Sequence, residues 1–301
     1  RYMLIDLEAD LDIASPRDYP YLSYFGDRSE WMILVRQPHC WRFLFPLKPG
    51  AQEPSPEELQ QKVHRFIGDV DTTVIGTNIY SVHHRVASHW QDGRVFLMGD
   101  AAHLITPMWA LGLNTGVLDA SNLPWRLAWV MRSWAHPSLL EGYASEQVPI
   151  ARDGSAELAE AARKRMARTE GADDVIATSN GWAAAMTRTL LGVTLDVDGA
   201  GRGGIIQTGD STQPVRLGSR VPDLPVFGES ARRHLHELCR DSFVALYFTD
   251  ARRRPLIPVD DETPGLTHFI VSRWDAPENT GLRPHALFDP GDVVARAFGV
   301  P

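Results

Sequence analysis

Arg94-Val95-Phe96-Leu97-Met98-Gly99-Asp100-Ala101-Ala102-His103, followed by Gly112-Leu113-Asn114-Thr115-Gly116, is the stretch on which the reading of this chain turns. A run of strand-forming residues ends at Gly99-Asp100, a loop containing Pro107 follows, and an apolar-periodic segment runs on through Met131. The pattern is strand, loop, helix. A carboxylate at the carboxyl end of a strand can accept hydrogen bonds from a cofactor hydroxyl, and a preceding glycine lets the backbone approach closely. The free N–H groups and dipole at the start of the helix suit an electron-rich carbonyl or an anion. Together the two halves describe one ligand wall. Pro124 falls inside the helix, where it removes a backbone donor, and predicts a kink over residues 120 to 124.

Upstream, strand-like runs cover 2 to 7, 31 to 36 and 41 to 47. Trp41, Phe43 and Phe45 fall two apart, the period of a strand. A Pro-rich link ends at Pro56-Glu57-Glu58, and apolar positions 59, 63, 66 and 67 then keep helical spacing, predicting a helix over 56 to 68. Downstream, a helix is expected over 153 to 169 with Asp153 or Ser155 as its cap, and a second over 181 to 191 ending at Gly192. The Gly-, Ser-, Thr- and Pro-containing stretch 196 to 217 is the expected domain boundary. Beyond it, a helix over 229 to 240 and strands over 243 to 248 and 268 to 272 suggest a small α/β domain.

At 301 residues the chain is about twice the usual domain length, which favours two domains. With 44% hydrophobic and 23% charged residues it is not a disordered or collagenous chain. A formal charge of -8 argues against binding nucleic acid or an anionic membrane and points to a small-molecule partner. The most apolar stretch, Leu123 to Met131, is far short of the ~20 residues of a bilayer span. Two cysteines, Cys40 and Cys239, make a disulfide framework untenable and favour a cytoplasmic setting. The opening Arg1-Tyr2-Met3-Leu4-Ile5 reads as a strand already in progress, so a fragment is expected, and the absence of a charged and then apolar run means that a signal peptide does not explain this start.

Other motifs read blandly. Gly199-Ala200-Gly201-Arg202-Gly203-Gly204 matches a dinucleotide loop in letters alone, since no helical pattern follows it; a linker turn is the expectation. His234, His236 and Cys239 would splay around the expected helix, so no metal site is read there. His83, His84 and His89 are expected to line a strand end or a cleft, and His103 to be structural. No nucleophile elbow, zinc-protease or Walker motif occurs.

The order Gly99-Asp100-Ala101-Ala102-His103, Pro107, Gly112-Leu113-Asn114-Thr115-Gly116, Asp119-Ala120, Asn122-Leu123, Trp125-Arg126-Leu127 resembles the second FAD-binding motif of single-component flavoprotein aromatic hydroxylases, close to the 3-(3-hydroxyphenyl)propionate, phenol and polyketide hydroxylases. Weaker similarity covers 80 to 98 and Leu139-Leu140-Glu141-Gly142-Tyr143. The resemblance implies a mixed α/β chain holding the C-terminal part of the FAD-linked hydroxylase fold. It implies a substrate-domain sheet over 1–93, FAD-binding elements over 94–195, a linker over 196–217 and a truncated thioredoxin-like domain over 218–301. That last domain, without Cys-x-x-Cys, would have a structural or homodimer-supporting role.

The resemblance further implies that FAD is bound by Gly99, Asp100 (the ribityl chain), Pro107 (beside the ring) and Gly112, Leu113 and Asn114 (the pyrimidine edge). NADH or NADPH would reduce the flavin, and oxygen added at its C4a would hydroxylate a phenolic substrate. Tyr24, Trp41, Phe43, Phe45 and Trp109 are candidates for lining the substrate pocket, with sheet core as the competing reading; no catalytic residue is named. Three departures stand out: Trp109-Ala110 where two glycines are usual, bulky Met108, and Pro124. The family's Gly-x-Gly-x-x-Gly and central Asp-Gly motifs are not found in the expected context. A non-catalytic assembly module that binds no FAD alone is the alternative, and a related flavin halogenase or dehydrogenase the third reading.

Overall fold

The computed structural model describes residues 1–11, 19, 21–25, 30–48, 50–166, 175–177, 193–195, 205–207, 215, 221–228, 231–249, 263–273 and 285–300. The chain packs as two units, Arg1–Met131 with Ala135–Leu191, and Arg132–Trp134 with Gly192–Pro301.

The first unit begins with strands β1 (Tyr2–Ala9), β2 (Leu22–Phe25), β3 (Met32–Arg36) and β4 (Trp41–Pro46), helix α1 (Pro56–Ile67) and strand β5 (Thr72–Tyr80). Strand pairs β6 (Arg85–Val86) with β9 (His103–Leu104), and β7 (Gln91–Asp92) with β8 (Val95–Phe96), follow. Helices α2 (Leu111–Met131), α3 (Glu141–Pro149) and α4 (Glu157–Met166) and strand β10 (Val175–Ala177) complete it. β10, β2, β3, β4, β1 and β5 form one sheet in that order, every pair antiparallel.

Strand alternation divides the sheet's side chains between two cores. Met3, Ile5, Leu7, Phe25, Met32, Leu34, Trp41, Phe43 and Phe45 pack with Leu59, Val63, Phe66 and Ile67 of α1. Tyr2, Tyr24, Ile33 and Leu44 pack instead with Met108, Leu111 and three residues of α4. α1 forms where the apolar spacing predicts, and Ser55 starts it: its hydroxyl accepts the Glu58 N–H while the Glu58 carboxylate accepts the Ser55 N–H.

Two expectations change. The strand expected over 94 to 98 shrinks to the two residues of β8, because the chain turns at Gly93 and again at Gly99. The helix expected from Asp153 or Ser155 has no cap there; the chain is already helical from Glu141 and winds as a π-helix over Ile150–Ala156 before α4. Pro149 lacks the N–H that would bond four residues back, and the wider winding follows directly after it. α2 runs as one helix through Pro124.

In the second unit β11 (Val193–Leu195) pairs with β12 (Ile205–Gln207), and only β12 lies inside the stretch 196 to 217 read as linker. β13 (Pro225–Phe227), β14 (Arg232–His234), helix α5 (Leu235–Leu238), β15 (Phe243–Thr249), β16 (Leu266–Ser272), β17 (His285–Phe288) and helix α6 (Val293–Ala297) follow. The sheet order is β14, β13, β17, β16, β15, with β15, β16 and β17 mutually parallel and β13 antiparallel to both its neighbours. Val226, Leu235, Phe269, Val271, Leu287 and Val294 make its core.

The helix expected over 229 to 240 is an error. Arg232 to His234 pair with β13 as an edge strand, and only one helical turn follows. His234 and His236 thus flank Asp223 (Nδ1 to carboxylate, 3.5 and 3.8 Å), and Cys239 is exposed. Among the described residues no group of three or more His, Cys, Asp or Glu is placed to hold a metal ion. The helix expected over 181 to 191 and the Gly199 to Gly204 loop lie outside the described residues. No described helix is long and apolar enough to cross a membrane.

Candidate functional site

The Gly99 turn and the start of α2 are pressed together. Gly99 has φ +58°, a conformation that favours glycine, and Gly116 of α2 lies so near that a Cβ on it would sit 3.3 Å from the Gly99 Cα. Glycine is favoured at 99 by its backbone conformation and at 116 by the close approach of turn to helix. The turn is tied from below. The Gly99 N–H donates to Asp119 Oδ2 at 2.9 Å, and His103 Nε2 lies 2.8 Å from the same oxygen. Both side chains are fully buried. Because a carboxylate only accepts, the His103 proton on that side sits on Nε2.

Aromatic rings enclose the pair. The Trp90 ring lies tilted against His103 at 5.5 Å and against Tyr143 at 5.8 Å, and the Tyr143 hydroxyl donates to Leu97 O at 2.8 Å, fixing the segment between β8 and the turn. Burial first, and then the nearby Asp119 carboxylate, hold the Tyr143 hydroxyl well above its usual range, so it stays a donor. Lower on α2, Arg126 is buried and bonds Asn122, Leu139 O and Glu146, and Gly142 makes room for it. These contacts fasten α3 to α2.

What the wall shows to solvent is unusual. Asp100 and Met98 are exposed beside the turn, and Leu113 (79% exposed) and Val117 (55%), one helical turn apart, expose an apolar stripe on α2. The N–H groups that open a helix have no carbonyl four residues back to receive them. Ahead of them Ala110 takes φ +54°, and the Asn114 side chain folds back to donate to Ala110 O at 2.8 Å. The glycine usual at position 110 in the resembled family is thus explained by backbone conformation, and this chain tolerates alanine there.

These features fit a flavin. A carboxylate for hydroxyl groups, open helix N–H groups for an electron-rich edge and an apolar stripe for a flat ring lie along one turn–helix junction. Of the residues expected to bind FAD, Gly99, Asp100, Pro107, Gly112, Leu113 and Asn114 all lie in this one stretch of turn and helix. Thr115, Asp119 and Arg126, at i, i+4 and i+11 of α2, fall on its buried face together with Leu111 and Leu123, and this spacing is the signal by which Asp119 and Arg126 could have been found.

The candidate substrate residues separate. Trp41, Phe43 and Phe45 point into the α1 core, as the sheet-core reading has it, while Tyr24 lies on the other face, with Met108 and Leu111. The side chain of Trp109 is outside what the structure describes. Sequence reasoning passed over Tyr2 and Tyr80, stacked at 6.0 Å on the Tyr24 face. Burial pushes the Tyr2 hydroxyl up to about 12, with Arg163 pulling it partly back.

Comparison with known proteins adds to this geometry. Residues 25–156 match a family model described as FAD binding domain. A putative polyketide hydroxylase of Streptomyces halstedii is 32% identical over 226 residues, which are 70% of this chain and 39% of that protein. A 3-(3-hydroxy-phenyl)propionate/3-hydroxycinnamic acid hydroxylase of Comamonas testosteroni is 30% identical over 197 residues, 64% of this chain and 31% of that protein. The chain therefore spans well under half the length of either. The crystal structure of aklavinone-11 hydroxylase with FAD and aklavinone superposes with a TM-score of 0.74, at 20% identity, over 99% of this chain and 55% of that one. The fold is shared.

Proposed function

We propose, from the premise that residues 25–156 are an FAD-binding domain related to those of the phenol, hydroxyphenylpropionate and polyketide hydroxylases, that this chain serves an FAD-dependent monooxygenase acting on a phenolic ring, with molecular oxygen and NADH or NADPH as co-substrates. The observation that carries the reading is the junction of the Gly99 turn with α2: exposed Asp100, the start of α2 packed against that turn and the bare Leu113/Val117 stripe.

Asp100 accepts hydrogen bonds from the ribityl hydroxyls. The N–H groups of Gly112 and Leu113, with Asn114 beside them, face the pyrimidine edge, where they stabilise negative charge in the manner of an oxyanion hole. Pro107 and Leu113 border the ring, whose bound form supplies oxygen activation and transfer. On the sheet, buried Tyr2 and Tyr24 and half-buried Tyr80 pack with Met108 and Leu111 and back the side of the junction on which an aromatic substrate would lie. The thioredoxin-like reading of the second unit, and its service in a homodimer, belong to the same proposal.

The test is titration of the chain with FAD, followed by quenching of flavin fluorescence. Saturable binding, weakened at least about tenfold by Asp100→Ala, is expected; absence of binding would favour the non-catalytic assembly module. Incorporation of isotopically labelled oxygen from O2 into a phenol, in the presence of NADH or NADPH, then tests the reaction itself.

A further inference from the structure

Two fully buried ionisable side chains on one hydrogen-bonded oxygen are costly to keep in a core. Packing does not call for them: the surroundings are Trp90, Tyr143, Ala102 and Leu123, an environment that apolar residues would fill at lower cost. Nor is the pair saturated, since His103 Nδ1 and Asp119 Oδ1 have no hydrogen-bond partner among the described residues. What the pair does that no apolar residue would do is give the Gly99 N–H a charged acceptor. That N–H lies in a turn with positive φ, one peptide before Asp100.

We propose that Asp119 is a positioning residue for the cofactor carboxylate: its Oδ2, held in place by the His103 Nε2–H, locks the Gly99 peptide and thereby the placement of Asp100 against the start of α2. The inference rests on the FAD reading above for its purpose, but its geometry stands independently of it. Asp119 takes no part in contact with cofactor or substrate. It acts through one backbone N–H, and His103 acts through Asp119. A charge-assisted bond restrains that peptide more strongly than a neutral one, and a carboxylate one residue along inherits the restraint.

The experiment compares Asp119→Asn, His103→Phe and His103→Gln in the full chain. Asparagine keeps the volume and loses the charge; phenylalanine keeps a ring beside Trp90 and loses the donor; glutamine restores a donor near the position of Nε2. Two quantities are read: hydrogen exchange of the Gly99 amide relative to the core amides of Ile5 and Phe43, and the dissociation constant for FAD. Asp119→Asn and His103→Phe are expected to speed Gly99 exchange about tenfold with the core amides unchanged, and to weaken FAD binding by a similar factor. His103→Gln should stay within about threefold of the parent in both.

Unchanged Gly99 exchange, or a rise matched by Ile5 and Phe43, would overturn the inference, the latter because it reports general loosening. So would a loosened Gly99 with undiminished FAD affinity. If the parent chain takes up no FAD, the functional reading fails, while the exchange comparison still decides whether Asp119 locks the turn.

Discussion

Helices α1 and α2 are built on opposite plans. α1 is closed by local chemistry: a capping box at Ser55 and Glu58, Pro56 in its first turn, acidic residues where the dipole favours them, and one apolar stripe packed on the sheet. α2 emerges from a 3-10 turn at a left-handed alanine, has no acidic residue in its first turn and carries an internal proline. Its interior-facing residues include Thr115, Asp119 and Arg126, while Leu113, Val117 and Met131 face outward. A helix that buries polar groups beside its apolar ones and leaves Leu113 and Val117 bare is held by specific bonds and leaves a surface for something else to cover. The contrast teaches that α1 is closed by its own packing, whereas α2 keeps open the face proposed above for a ligand.

If that contrast is right, substitutions should cost most where α2 keeps its polar groups. Asp119→Ala strips the acceptor from two buried donors and is expected to cost about 3 kcal/mol in urea unfolding; a loss no larger than that of a surface change would break the comparison. Arg126→Met removes the bonds to Asn122, Leu139 O and Glu146. Because Glu146 is partly open to solvent, a loss of about 2 kcal/mol is expected in the same measurement.

In α1 the corresponding effect is smaller. Ser55→Ala should cost about 1 kcal/mol, seen as a lowered midpoint and faster exchange in the first turn of α1 alone. Ala110→Gly relieves a positive φ but frees the unfolded chain, so a gain of about 0.5 kcal/mol in thermal unfolding is expected. A loss would show that the Ala110 methyl packs usefully.

The smallest effect is on acid. First-turn backbone hydrogen bonding, and then the Ser55 hydroxyl, hold the fully exposed Glu57 carboxyl below its usual value. A lowered carboxylate contributes stability above its unfolded value and loses it as pH falls through the folded one. Fraying of the α1 start should thus grow below about pH 4.5, and be blunted in Glu57→Gln, while the start of α2 shows no matching trend in amide exchange.

Legibility followed how local the cause was. The strand of Trp41, Phe43 and Phe45 and the helix from Pro56 were readable because period and capping residues lie within a few positions of one another. β5 was passed over because Thr72–Tyr80 is half-exposed and mixes Thr, Asn and Gly with its apolar residues, so no clean alternation marks it. β14 was mistaken for helix because Arg232, Arg233 and His234 carry no strand signal; pairing with β13 decides their state. The π-helix after Pro149 preserves a helical pattern while erasing the expected start at Asp153 or Ser155.

The candidate site was legible as a stretch of residues and illegible as an arrangement. The order from Gly99-Asp100 to Gly112-Leu113-Asn114 places turn and helix start by chain connectivity alone, so the sequence by itself determined where the candidate wall lies, and the fold class came with the family resemblance that this stretch carries. Which aromatics face α1 and which face Met108 depended on the sheet's orientation, and a period of two leaves that sign open. The union of Asp119, His103 and the Gly99 N–H likewise spans up to twenty positions, and burial alone brings them onto one oxygen. Tertiary structure decided these points because a buried polar group takes its meaning from its partners, and partners distant in the chain are chosen by packing.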